Sequence, residues 1–63
     1  MDKERYKSLA WDVASDPRFL SKRFPPLFRA KMLREHYAEL KVVDISLDEA
    51  KKTIKFIDKG MKD

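Results

Sequence analysis

The 63-residue sequence contains no cysteine and only one glycine. Without cysteine the chain can form neither a disulfide nor a thiolate metal site, two devices that commonly stabilise small domains. One glycine is too few for a glycine-rich loop that cradles phosphate. A chain of this length buries only about 60% of the surface that its unfolded form exposes. The sequence therefore predicts one small helical domain, residues 1–63, of marginal stability, for which self-association is the stabilising device that remains.

Long apolar runs are absent as well. No stretch approaches the roughly 18 apolar residues of a membrane-spanning helix, and the first residues lack the apolar core of a secretory signal. We therefore expect a cytoplasmic protein without membrane contact. Charged residues make up 41% of the chain and hydrophobic residues 43%, a balance too apolar for a disordered tail. The abundance of Lys, Glu, Leu and Ala favours helix over sheet.

Histidine is too scarce for most catalytic and metal-binding arrangements. His36 is the only histidine, and together with Glu39 it offers at most two metal ligands on one helix face. Catalysis needs a nucleophile beside a base, or paired carboxylates, in a cleft. Because no such group stands out, the sequence predicts no catalytic residue, no cofactor and no metal, and hence a protein that is not an enzyme.

The spacing of apolar residues predicts three main helices and one short helical turn. Apolar residues recur at intervals of three and four over about 3–14, 27–41 and 47–59. Asp16 and proline at position 17 favour the start of the short turn, at about 17–23. Two prolines at 25 and 26 interrupt it. The predicted fold class is all-α, a small bundle.

Capping signals mark the ends of two predicted helices. Asp2 is placed to cap the first. Ser46 and Glu49 match the capping box, in which each side chain satisfies a free backbone amide, so the last helix begins at Leu47. Gly60 is placed to end it.

The last helix carries a heptad-like apolar seam. Its members follow at intervals of three and four: Leu47, Ala50, Ile54, Ile57 and Met61. Two interpretations stay open, because such a seam packs either on the chain's own helices or on a second copy in a homodimer. The segment before it, residues 41–45, is predicted to be an extended connector.

Positive charge is concentrated between residues 17 and 34. This segment holds six basic residues and no acid, more than the whole formal net charge of +4, so the rest of the chain carries −2. Three of the four phenylalanines also lie here, at positions 19, 24 and 28. Solvated helices usually mix charges of both signs, as residues 47–63 do. A one-signed segment rich in aromatics is typical of a surface that binds an acidic partner.

The candidate partner-binding residues come from this segment, and among them we expect Arg23, Arg29 and Arg34 to be exposed. They are Arg18, Lys22, Arg23, Phe28, Arg29, Lys31 and Arg34. Trp11 and Phe56 lie off the apolar stripes of their helices and are candidate exposed aromatics. In the alternative interpretation, the cations are merely solvated and the phenylalanines of the segment form core.

Two functions fit this pattern. The first is a non-enzymatic interaction or regulatory protein, a homodimer, that docks on a larger acidic protein through the basic segment. The alternative is a small nucleic-acid-binding module that uses the same cations, since a short helix, a turn and a longer helix resemble a helix-turn-helix pair in outline. Leu27 and Phe28 would begin its reading helix, and their side chains are poor partners for base edges.

Overall fold

The protein is all-α. The computed structural model describes residues 4–41 and 44–62, and its four helices are α1 (Arg5–Asp12), α2 (Pro17–Leu20), α3 (Pro26–Leu40) and α4 (Leu47–Asp58). The described part of the chain contains no strand. The predicted bundle of three main helices and one short helical turn is therefore confirmed. The predicted cap Asp2 and residues 42–43 of the predicted connector lie outside the described residues.

The first two helices are shorter than predicted. α1 stops at Asp12, and Val13 has already left helical geometry at φ −108° and ψ 15°. The residue before a proline is pushed into extended backbone, and Asp16 lies there at φ −90° and ψ 115°. α2 ends at Leu20 because Ser21 is extended. The Ser21 hydroxyl accepts the Arg23 amide at 3.3 Å, a local bond that competes with helix.

Side-chain hydrogen bonds mark where α2 and α4 begin, and Pro17 and Pro26 are the first residues of α2 and α3. The Asp16 carboxylate accepts the Arg18 amide at 2.9 Å at the start of α2. The Ser46 hydroxyl accepts a hydrogen bond from the Glu49 amide at 3.2 Å, which confirms that α4 begins at Leu47. The Glu49 carboxylate also accepts the Arg5 Nε at 2.7 Å, so the first turn of α4 is tied to α1.

Gly60 ends α4 in a Schellman motif. Its amide donates to the Ile57 carbonyl at 2.9 Å, and the Met61 amide donates to the Phe56 carbonyl at 3.0 Å. Gly60 has φ 80°, in the left-handed region that glycine adopts without steric cost. The predicted end of the helix at Gly60 therefore holds to within two residues.

The core forms around α4, which packs against the other three helices. Its Ile54 is fully buried beside Leu33 of α3, Ala10 of α1 and Phe19 of α2. The seam predicted on α4 belongs to this core, since Ala50, Ile54 and Ile57 are buried and Leu47 and Met61 pack against the cluster. The two interpretations of the seam are thereby decided: it packs on the chain's own helices.

The two candidate exposed aromatics have opposite environments. Trp11 is 64% exposed, as the sequence suggested. Phe56 is only 7% exposed, so its predicted exposure is wrong. α1 covers this side of α4, where the Tyr6 ring meets the Phe56 ring edge-on, with centroids 5.7 Å apart. Among the described residues, no helix is both long and apolar enough to cross a membrane.

The Ser46 cap can be tested by substitution. Ser46→Ala should lower the free energy of unfolding by about 1 kcal/mol, because an amide in the first turn of α4 loses its acceptor. Ser8→Ala makes the same chemical change at an exposed position inside α1 and should shift stability by less than about 0.5 kcal/mol. Urea melts of both variants measure this. Equal midpoints would show that the Ser46 hydroxyl does not hold the start of α4.

Tyr37 should make stability fall in alkali. Its hydroxyl donates to Asp12 Oδ2 at 2.6 Å, and burial together with this bond raises its pKa above the ordinary value of 10.0. The folded chain therefore keeps the proton where the unfolded chain loses it, so the stabilisation is complete below about pH 10 and is lost above it.

Urea melts at about pH 8 and pH 11 test this dependence. The native protein should lose on the order of 1 kcal/mol more than Tyr37→Phe between these pH values. Tyr6→Phe, which leaves the bond between Tyr37 and Asp12 in place, should behave like the native protein. An identical alkaline loss in Tyr37→Phe would contradict the assignment.

Candidate partner-binding surface

The most buried cation of the basic segment is Arg29. Its side chain is 2% exposed. The guanidinium donates two hydrogen bonds to the Asp58 carboxylate, from Nη1 to Oδ1 at 2.7 Å and from Nη2 to Oδ2 at 3.0 Å. Nη1 also donates to the Phe19 carbonyl at 3.2 Å, and Nε donates to the Phe24 carbonyl at 3.0 Å. The predicted exposure of Arg29 is therefore wrong. This side chain joins α3, α4 and the turn after α2.

Two further arginines of the segment are engaged in local structure. Arg18 pairs with Asp16 at 2.7 Å, lies 5.1 Å from the centroid of the Phe19 ring, and approaches His36 Nδ1 at 3.3 Å. The hydrogen bond from Arg18 lowers the pKa of Asp16, and the same bond raises the pKa of Arg18. Arg34 donates from Nε to the Ile45 carbonyl at 3.1 Å, which fixes the chain just before α4.

Three cations of the segment remain available. Lys22, Arg23 and Lys31 are exposed, and within residues 4–41 and 44–62 none of them forms an ion pair. The one-signed segment thus divides into one buried arginine, Arg29, two exposed arginines that bond within the fold, Arg18 and Arg34, and three exposed cations without an ion pair.

Large apolar side chains are exposed beside these cations. Phe24 and Phe28 are 41% and 47% exposed, and their rings contact each other with centroids 5.4 Å apart and planes tilted by 37°. Leu20 and Leu27 are also exposed. Lys31 lies one turn beyond Leu27 and Phe28 on α3, so it shares their side of the helix. We call these seven residues the docking face: Leu20, Lys22, Arg23, Phe24, Leu27, Phe28 and Lys31.

Arg29 positions this face although it is not part of it. Its bonds to the Phe19 and Phe24 carbonyls fix both ends of the turn between α2 and α3. That turn carries Lys22 and Arg23. The placement of the exposed cations and aromatics therefore depends on an ion pair to the far end of α4.

Sequence reasoning found part of this face and missed the rest. It singled out Lys22, Arg23, Phe28 and Lys31, and these four lie on it. Leu27 begins the apolar spacing predicted over 27–41, but that side chain is 47% exposed. The close succession of large apolar residues around the two prolines was the available signal, because more of them are present than one short helix can bury.

Neither a metal site nor a known relative adds to this picture. Residues 4–41 and 44–62 contain no cluster of three or more His, Asp or Glu side chains that could hold a metal ion. No protein family model matches the chain, and neither the curated proteins nor the solved structures contain a significant match. The functional argument therefore depends on the surface itself.

Removal of Arg29 should strongly destabilise the protein. Arg29→Met leaves Asp58 without its partner and two backbone carbonyls without a donor, a loss of about 3–5 kcal/mol. A domain of this size has a total stability of only about 3–9 kcal/mol. Arg23→Met removes an exposed, unpaired arginine and should change stability by less than about 0.5 kcal/mol. Circular dichroism and urea melts compare the two, and a native melt for Arg29→Met would show that the ion pair is dispensable.

Proposed function

We propose that this protein is a non-enzymatic, cytoplasmic interaction module that docks on an acidic partner protein and regulates it through the docking face. The observation that carries the proposal is the contacting pair Phe24 and Phe28, both exposed, beside unpaired cations. Exposed apolar side chains grouped on a small domain usually mark an interaction site.

The chemistry of the docking face specifies its partner. Aromatic and arginine side chains supply much of the binding energy at the centres of protein interfaces, and Phe24, Phe28 and Arg23 provide them here. Lys22 and Lys31 flank them and would steer an acidic surface into contact. The expected partner therefore offers an apolar pocket or ridge surrounded by carboxylates.

A protein partner fits this face better than nucleic acid does. Three of the six cations in the segment are engaged in the fold, which leaves few contacts for phosphates. Leu20 and Leu27 are exposed in the same face, and aliphatic side chains neither stack on bases nor donate hydrogen bonds to them. The nucleic-acid alternative therefore has fewer unengaged cations in this segment than the sequence indicated.

The expected homodimer stays a prediction. Because the seam of α4 lies in the core, a second copy would have to bind elsewhere on the surface. Sedimentation at low and high protein concentration measures this directly. A monomer mass over a hundredfold range of dilution would remove the homodimer.

Charge reversal on the docking face tests the function. Lys22→Glu, Arg23→Glu and Lys31→Glu together should leave helicity unchanged, because all three side chains are exposed and unpaired. The same change should weaken binding of a fluorescent amphipathic peptide of Glu and Leu at least tenfold, since attraction becomes repulsion. Phe28→Ser should weaken it through loss of apolar contact.

The control places charge reversal elsewhere on the surface. Lys41→Glu with Lys51→Glu alters exposed lysines outside the docking face and should retain peptide binding better than the matched pair Lys22→Glu with Lys31→Glu. If both double variants lose binding equally, the peptide senses only net charge. If the docking-face variant binds as the native protein does, the functional surface lies elsewhere, and Trp11 is the next residue to test.

A further inference from the structure

A second cationic surface lies between α1 and α4, on residues that the docking face does not use. It is an open groove of about 320 Å³, lined by Tyr6, Lys52, Lys55, Phe56, Lys59 and Lys62. The floor is aromatic, formed by the edge-to-face contact of Tyr6 and Phe56. Among the described residues, the rim consists of lysines alone.

The lysines form a row along the end of α4. Lys52, Lys55 and Lys59 follow at intervals of three and four, so they share one face and span about 10 Å along the axis. The Schellman turn at Gly60 reverses the chain, and Lys62 thereby returns to the same groove. The row is exposed along its whole length.

Two of the three acids of α4 are engaged by arginines of other helices, and the third, Asp48, is exposed one turn before Lys52. Glu49, one turn before Lys52, is bonded by Arg5 of α1. Asp58, one turn after Lys55, is bonded by Arg29 of α3. Among the described residues none of the four lysines forms an ion pair. The folded structure therefore leaves Lys55, Lys59 and Lys62 without an unengaged acid of α4 within one turn.

The composition of the groove distinguishes between an acidic protein and a nucleic acid as its partner. Protein interfaces are depleted in lysine and enriched in arginine, whereas this rim contains four lysines and no arginine. Phosphate oxygens accept contacts from lysine point charges without demanding the planar fork of arginine. A positively charged groove with an aromatic floor is the arrangement that proteins use for single strands, whose bases stack on the rings. Tyr6, which is partly exposed, presents such a ring.

We propose that this groove binds the phosphate backbone of single-stranded nucleic acid without regard to base sequence. A single strand can place successive phosphates along the lysine row and a base against Tyr6. A duplex can bring phosphates to the exposed lysines, but its bases are paired and stacked, so it cannot place one against Tyr6. This site is separate from the docking face, so the protein could hold an acidic partner and a nucleic-acid strand at once.

The test uses the full chain and a fluorescent oligothymidylate of about 12 nucleotides, a length within the range of one small binding domain. Four phosphate contacts predict a slope of about −2.8 for the logarithm of affinity against the logarithm of salt concentration. Affinity should then fall about 50-fold between about 50 and 200 mM NaCl. Lys55→Gln with Lys59→Gln should reduce the slope to about −1.4 and the fall to about 7-fold.

The matched control removes the same charge from the docking face. Lys22→Gln with Lys31→Gln should keep the native slope, and an equal reduction in both double variants would overturn the site. The complementary duplex should bind more weakly than the single strand, and equal or tighter binding would overturn the single-strand assignment. A Glu-rich peptide that displaces the oligonucleotide at lower concentration would assign the groove to an acidic protein instead. Failure of the native protein to bind the oligonucleotide would also overturn the proposal, whatever the outcome at the docking face.

Discussion

The ion pair between Arg29 and Asp58 is the interaction on which the rest of the structure depends. A buried guanidinium is costly unless all of its donors are satisfied. Here its bonds go to Asp58 and to the Phe19 and Phe24 carbonyls. The same side chain therefore fixes α3 against α4 and closes the turn after α2. In a chain without disulfide or metal, a network of this kind supplies a specific arrangement that apolar packing alone does not define.

α4 has two roles that follow from one pattern of side chains. Its apolar face supplies Ala50, Ile54 and Ile57 to the core, which gives the three other helices a common partner. Two of its three acids, Glu49 and Asp58, lie near the two ends of the helix and receive arginines from α1 and α3. The acids hold the bundle together, and the lysines between them are left to solvent. The charge of the exposed α4 surface is therefore a consequence of how the bundle is assembled.

Features encoded by neighbouring residues could be predicted from the sequence, and features encoded by distant ones could not. The start of α4 at Leu47 follows from Ser46 and needs no knowledge of the fold. The partner of Arg29 is 29 residues away, and the cover over Phe56 comes from the other end of the chain. No local spacing specifies either contact. The candidate site could accordingly be located in the right segment, but the role of each cation within it depended on tertiary structure.

The structure separates the cations of this protein by chemical type. The arginine fork makes several directed bonds at once, whereas a lysine ammonium is a strongly hydrated point charge that favours contact with water. Four of the five arginines accordingly donate side-chain hydrogen bonds that join or terminate helices: Arg5, Arg18, Arg29 and Arg34. Arg23 is the exception, and it lies in the docking face with exposed lysines beside it. The net charge of +4 therefore does not report the charge that is free to bind. Because Arg5, Arg18 and Arg29 each bind an acid within the fold, the exposed lysines at the docking face and in the α4 groove supply much of the charge with which the surface attracts anions.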